Sequence, residues 1–210
     1  MVVIFDLDGT IIDSYPGISS GLRETFKNFG VDGFDSLDYN QFIGPPLMES
    51  LKAVFDDEDE IVEAIEEFRK YYDVKGQYEL VAYENIEEVF KELAPKHKLL
   101  VATSKPQERA RDILERLGYS KYFHYIAGAV EGEHKKELII RDALSHLDFD
   151  EDEEIYMIGD RFSDIVGAKG AGVPSVGVLY GYGTREELEH YGADHIVETV
   201  IDLKEFFKNK

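Results

Sequence analysis

VVIFDLDGTIIDS, residues 2–14, decides the fold. Four apolar residues, 2–5, lead straight into Asp6, step over Leu7 to Asp8, and turn at Gly9-Thr10. An apolar run with no polar alternation suits a strand buried on both faces, as in a parallel sheet covered by helices. Asp6 and Asp8 are two residues apart, so their side chains start on the same side of the strand end. Close carboxylates repel, and they stay ionised together only beside a compensating positive charge.

Similar apolar runs recur at 98–103 (KLLVAT), 125–130 (YIAGAV), 154–159 (EIYMIG) and 174–179 (PSVGVL), with a weaker one at 194–199 (DHIVET). Helical patterns separate them. In ENIEEVFKELAP, Ile86, Val89, Phe90 and Leu93 form one stripe and Pro95 stops the helix. In ERARDILERLG, Ala110, Ile113, Leu114 and Leu117 repeat the pattern before Gly118. This alternation predicts an α/β fold with a doubly wound, mostly parallel, Rossmann-like sheet. Residues 15–79 break the rhythm, with helical stripes and no buried strand. One stripe holds Ile18, Leu22, Phe26 and Phe29; a second holds Ile61, Ile65, Phe68 and Tyr72. Residues 1–14 and 80–210 are therefore expected to form the catalytic core, with 15–79 inserted after the first strand as a helical cap. Open α/β sheets bind ligands at the carboxyl ends of their strands, where such an insert would act as a lid.

A second acidic pair lies in IGDRFSD, with Asp160 at the fourth strand's end and Asp164 one helical turn on. If the first and fourth runs are neighbours, up to four carboxylates meet at one spot. A hard divalent cation with oxygen ligands, above all Mg²⁺, compensates such a cluster. The second main run ends in ATSKP, which offers Thr103, Ser104 and Lys105, and EGEHKKELII supplies Lys135 and Lys136. Hydroxyls, amides and ammonium groups are the donors that phosphoryl oxygens require. Together with the acids they point to a metal and a phosphate.

These segments, in this order, resemble the motifs of the haloacid dehalogenase superfamily in its phosphatase branch. DLDGT resembles the first motif, LLVATSK the second, HKKELI the lysine motif and IGDRFSD the acidic fourth. The insert resembles that family's small helical cap, and IGPPLMESL (43–51) and YGYGTREEL (180–188) resemble the phosphoglycolate phosphatase group and its nucleotidase-like relatives. The resemblance implies Mg²⁺-dependent hydrolysis of a small phosphomonoester through an aspartyl phosphate. It implies Asp6 as nucleophile, Asp8 as general acid and base, and Thr103 and Lys136 as phosphoryl-binding groups. Lys136, at the start of an amphipathic helix, is preferred over Lys135 as the motif lysine. Asp160 is implied as the side-chain metal ligand, with Asp6, the Asp8 carbonyl and a supporting or water-mediated Asp164 completing the set. Gly9, Ser104, Lys105 and Gly44 are the expected substrate contacts; Ser104 replaces an amide side chain frequent among phosphoglycolate phosphatases.

A sugar phosphomutase, or a nucleotidase or pyrophosphatase, shares these motifs. A dehalogenase needs neither Asp8 nor Asp160, and a receiver domain lacks the insert and DLDGT. A phosphate-binding regulatory protein on the same scaffold is the non-enzyme alternative. The net charge of −21 argues against nucleic acid or an anionic membrane as partner, since both require clustered Lys and Arg. Acidic runs at 56–60 and 148–154 read as solvated surface. Absence of cysteine excludes disulfides and thiolate chemistry. The start, MVVIFD, lacks a basic lead-in, and no stretch approaches the roughly 20 apolar residues of a membrane span. The expectation is a cytoplasmic monomer or weak homodimer acting on a small phosphorylated metabolite. His97, His124, His134, His146, His190 and His195 have no ligand spacing and are expected at the surface or in loops. Tyr15, Phe42 and Tyr182 flank candidate site loops.

Overall fold

A computed structural model describes residues 1–130, 135–150, 152–208 and 210. The expectations for His134, and for Glu151 within its acidic run, lie outside the described residues. The chain divides into two compact units, residues 1–12 with 82–210, and residues 13–81.

The first unit is built on a six-stranded parallel sheet. Its strands are β1 (Val2–Phe5), β4 (Lys98–Pro106), β5 (Tyr125–Ala129), β6 (Ile155–Gly159), β7 (Ser175–Val178) and β8 (His195–Val197). Their spatial order is β5-β4-β1-β6-β7-β8, and β1 pairs in parallel with β4 on one side and β6 on the other. The chain thus reverses its direction of winding at β1, the point where open α/β sheets leave a crevice. Two short strands, β2 (Ile12–Asp13) and β3 (Val81–Ala82), form a separate ribbon.

Every residue of β1 is buried, because helices cover both faces of the sheet. On one face Val2 and Ile4 pack with Leu100, Ala102 and Met157 beneath Ile139, Ile140 and Ala143 of α6 (Lys136–Ser145) and Ala168 of α7 (Phe162–Ala171). On the other, Phe5 meets Phe90 of α4 (Ile86–Leu93) edge-on, with ring centres 5.3 Å apart. The remaining helices are α5 (Gln107–Arg116), α8 (Arg185–Tyr191) and α9 (Val200–Lys208). The period of two has a direct consequence for chemistry. Asp6, one residue past Phe5, falls on the Val2–Ile4 side, toward α6 and α7.

The second unit contains α1 (Tyr15–Asn28), α2 (Leu47–Ser50) and α3 (Glu58–Tyr72), joined by 3₁₀ turns. Helix α3 starts at an Asp57 cap that accepts from the Asp59 and Glu60 amides, with acidic residues in its first turn and Arg69 and Lys70 in its last. Ile18, Leu22 and Phe26 of α1 are buried, as are Ile61, Phe68 and Tyr72 of α3, whereas Ala64 rather than Ile65 completes the buried face of α3. Gly17 allows close approach: a Cβ there would lie 2.0 Å from the Gly76 carbonyl oxygen. Phe42 is a core residue, packed against Phe26 and Tyr39. Among the described residues, no helix is long and apolar enough to cross a membrane. The acidic stretch 56–60 is exposed throughout. Of the described histidines, His97 is half-buried and the other four are exposed.

Candidate active site

Three motif segments converge at the carboxyl ends of β1 and β6. Asp6 continues the ladder beyond β1, its amide donating to the Ile158 carbonyl at 2.8 Å. Asp160 follows β6 directly, and Asp164 sits in the first turn of α7. Oxygens of Asp6, Asp160 and Asp164 all lie within 4.8 Å of one another, and all three residues are buried.

Lys136, the first residue of α6, reaches into this cluster. Its Nζ is 2.8 Å from Asp6 Oδ1, 2.7 Å from Asp164 Oδ1 and 3.1 Å from the Ala102 carbonyl oxygen. Those three acceptors match the three protons of an ammonium group. Lys135, the N-cap residue of that helix, is exposed. The approach of α7 to α6 depends on Gly167, where a Cβ would lie 2.5 Å from Lys136 Cγ.

Asp164 is committed on both oxygens, since Oδ2 accepts the Arg161 amide at 3.0 Å and so caps α7. Gly159 makes room for it: a Cβ there would lie 2.2 Å from Asp164 Cγ. Asp160 is held by the Thr10 hydroxyl, which donates to Oδ1 at 3.4 Å, and by the Tyr182 amide, which donates to Oδ2 at 2.8 Å. Gly9, with φ +80°, takes a left-handed turn close to it. Arg161, in turn, pairs with Glu187 of α8 at 3.0 Å.

A second ion pair lies beside the first. Strand β4 runs on to Pro106, and its register with β5 shifts between Thr103 and Pro106. This irregularity re-aims the segment, as bulges do. Thr103 Oγ1 accepts the Lys105 amide at 3.2 Å, and Lys105 Nζ lies 3.2 Å from Asp8 Oδ2. Asp8 Oδ1 and Ser104 Oγ are buried atoms with no hydrogen-bond partner among the described residues. Unpartnered buried oxygens are costly, and an incoming hydroxyl or phosphoryl group would satisfy them. Gly44 belongs to the helical unit, where it has φ +102° just before α2.

Electrostatically the cluster is short of positive charge. Burial pushes the Asp6 carboxyl up to about 7; Lys136 pulls it down, while the Asp164 and Asp8 charges push it up again. Burial likewise raises Asp160 well above the usual carboxylate range, reinforced by Asp164 and Asp6. Burial alone would lower Lys136, but the Asp164 and Asp6 carboxylates outweigh it and hold the ammonium form above its ordinary value. A further cation would offset the burial and mutual repulsion that raise Asp6 and Asp160. A hard divalent cation fits the donors present, which are all oxygens. Asp6, Asp160 and Asp164 are the carboxylates whose oxygens lie close enough together to hold it, with Asp164 also tied to Lys136 and the α7 cap.

Of the residues singled out in the sequence, Asp6, Lys136, Asp160 and Asp164 form one contact network, and Asp8, Thr103 and Lys105 form another around the same strand ends. Thr10, the Tyr182 amide and the Ala102 carbonyl were not anticipated. Two of these act through backbone atoms, for which side-chain identity carries no signal. Thr10 stood within the opening motif, but only the fold shows its hydroxyl reaching Asp160.

Residues 3–178 match the family model described as haloacid dehalogenase-like hydrolase. A 5'-nucleotidase of Pseudomonas aeruginosa is 34% identical over 99% of this chain and 95% of its own length. A tyrosine-protein kinase, PtkA, of Mycobacterium tuberculosis is 32% identical, covering 97% of this chain and 71% of its own. A phosphoglycolate phosphatase of Colwellia psychrerythraea is 31% identical, covering 96% and 94%. The crystal structure of a predicted phosphatase from Clostridium acetobutylicum superposes with a TM-score of 0.92 at 37% identity, covering 100% of this chain and 98% of that one.

Proposed function

Because the chain belongs to the haloacid dehalogenase-like hydrolase family, we propose that it is a Mg²⁺-dependent phosphatase that hydrolyses a small phosphomonoester, with 2-phosphoglycolate the first candidate. The observation that carries this reading is Lys136 bridging Asp6 and Asp164 inside a cluster of three buried carboxylates. A nucleophilic carboxylate needs its charge stabilised without being blocked, and a lysine on one oxygen leaves the other for attack.

Asp6 attacks phosphorus, the bond from phosphorus to the leaving oxygen breaks, and Asp8 gives that oxygen its proton. Asp8 then accepts a proton from water as the water oxygen attacks phosphorus, and the Asp6–phosphorus bond breaks to release inorganic phosphate. Lys105, whose Nζ lies 3.2 Å from Asp8 Oδ2, orients the Asp8 carboxyl for both proton transfers. Lys136 and the Thr103 hydroxyl hold phosphoryl oxygens as charge develops on them. Asp6, the Asp8 carbonyl and Asp160 would hold Mg²⁺, which would supply the positive charge that lets phosphate and carboxylates approach. Asp164 holds Lys136 and supports the site through its cap on α7. Residues 1–14 and 80–210 carry the chemistry in this reading, and the helical segment 15–79, including Gly44, caps it and sets substrate choice.

The test is release of inorganic phosphate from a panel containing 2-phosphoglycolate, nucleoside monophosphates, pyrophosphate and hexose phosphates, each with Mg²⁺ and with EDTA. Mg²⁺-dependent release from one small ester supports the proposal. Isomerised sugar phosphate without free phosphate, or transfer only to a tyrosine peptide, overturns hydrolysis as the reaction. No turnover on any substrate points to a regulatory protein on this scaffold.

A further inference from the structure

The loop Tyr180–Gly183, just after β7, contributes no carboxylate to the acid cluster, yet it contacts the cluster's supports repeatedly. The Tyr180 hydroxyl donates to the Thr10 carbonyl at 3.1 Å, and the Tyr182 amide donates to Asp160 Oδ2 at 2.8 Å. Its two glycines fit against fixed backbone. A Cβ at Gly181 would lie 2.3 Å from the Gly9 carbonyl oxygen and 2.4 Å from Asp160 Cβ, and one at Gly183 only 1.8 Å from the Asp160 carbonyl oxygen. Gly9 completes the enclosure, since a Cβ there would lie 2.2 Å from Asp160 Oδ2. Neither carbonyl can swing aside as a side-chain tip could.

We propose that this loop is a positioning device for divalent-cation binding. It sets the rotation of the Asp160 carboxylate and locks the turn that carries the Asp8 carbonyl. One amide and one hydroxyl each bind a different Asp160 oxygen, which fixes the rotation of the carboxylate, one of whose oxygens lies within 4.8 Å of one on Asp6. Tyr180 holds the turn from the outside through Thr10 and is itself braced edge-on by Tyr83, with ring centres 5.0 Å apart. The inference rests on the reading above that Asp6 and Asp160 hold the cation.

The experiment is titration of the purified full chain with Mn²⁺, followed by electron paramagnetic resonance and by calorimetry, on wild type, Gly181→Ala and Tyr180→Phe. Thermal melts in EDTA report the fold separately. Gly181→Ala is expected to keep a cooperative melt while binding Mn²⁺ about 10- to 100-fold more weakly, the usual effect of disturbing a residue that orients a ligand. Tyr180→Phe, losing one hydrogen bond, should weaken binding by about 2- to 12-fold. In both variants turnover should recover at saturating Mn²⁺. Wild-type Mn²⁺ affinity in both variants overturns the inference. If Gly181→Ala does not fold, Tyr180→Phe decides alone. A wild-type protein that binds no Mn²⁺ sinks the metal reading itself, and the loop's role with it.

Discussion

Asp6 combines two demands that conflict. The proposed nucleophilic role would need it buried from water and yet ionised; burial pushes its carboxyl up to about 7 while Lys136 opposes the rise. An unfolded chain ionises the same carboxyl at its ordinary value of 3.8, so between those two limits the folded state binds more protons than the unfolded one. Stability from this group is therefore full at low pH and is lost as pH rises through the folded value. Asp160, raised for the same reason, acts in the same direction. A cation that replaces the retained protons reverses the trend. The rise in melting temperature on adding Mg²⁺ should thus be larger at about pH 8 than at about pH 5.5. An equal rise at both values would count against a cation between these carboxylates. Asp6→Asn removes the proposed nucleophilic oxygen and one repulsive charge together. Turnover should fall by roughly 1,000-fold or more, while the melt in EDTA stays cooperative. Wild-type activity in that variant would exclude an aspartyl phosphate.

The pairing of α6 with α7 is what delivers Lys136 to its acids. Gly167 and Gly170 lie on the same helix and both face α6, but they meet different neighbours. A Cβ at Gly167 would press on Lys136 Cβ and Cγ, at 2.7 and 2.5 Å, which the helix backbone holds in place. A Cβ at Gly170 would meet the tip of Glu137, an exposed pair-mate of Arg141 that can swing away. Gly167→Ala should therefore cost about 1–3 kcal/mol in urea unfolding and lower kcat by displacing Lys136. Gly170→Ala should be neutral or gain up to about 1 kcal/mol from helix propensity, with kcat unchanged. Equal effects at the two positions would contradict the packing. Glycine spacing in GAKGAG hints at close approach, yet nothing local says which glycine faces the lysine.

At the scale of the whole molecule, the net charge of −21 sets a background of self-repulsion. Exposed acids such as those at 56–60 lack enough cations to balance them, and added salt screens them. Raising NaCl from about 0.02 to about 0.5 M should stabilise the protein by about 1 kcal/mol, a rise of about 2–4 °C in melting temperature. A flat or falling melting temperature would show that local ion pairs outweigh the overall charge. The two units also divide their tasks physically. The acid cluster, Lys136 and the Asp8–Lys105 pair all belong to the unit of residues 1–12 and 82–210, while the unit of residues 13–81 has its own aromatic core around Phe26, Tyr39 and Phe42.

The sequence by itself determined the alternation of strand and helix, the interruption after the first strand, and the motifs from DLDGT to IGDRFSD that mark the family. Those features are local: burial on both faces shows as unbroken apolar runs, helix faces show as stripes, and acids at strand ends stand out against them. Only the tertiary structure decided that Lys136 rather than Lys135 enters the acid cluster, that Asp164 spends both oxygens on Lys136 and the α7 cap, and that the Tyr182 amide and Thr10 hydroxyl hold Asp160. These contacts join residues up to 150 positions apart, and several run through backbone atoms that every residue shares. Their geometry is set by how β1, β6, α6 and α7 pack together, which no local stretch of chain encodes.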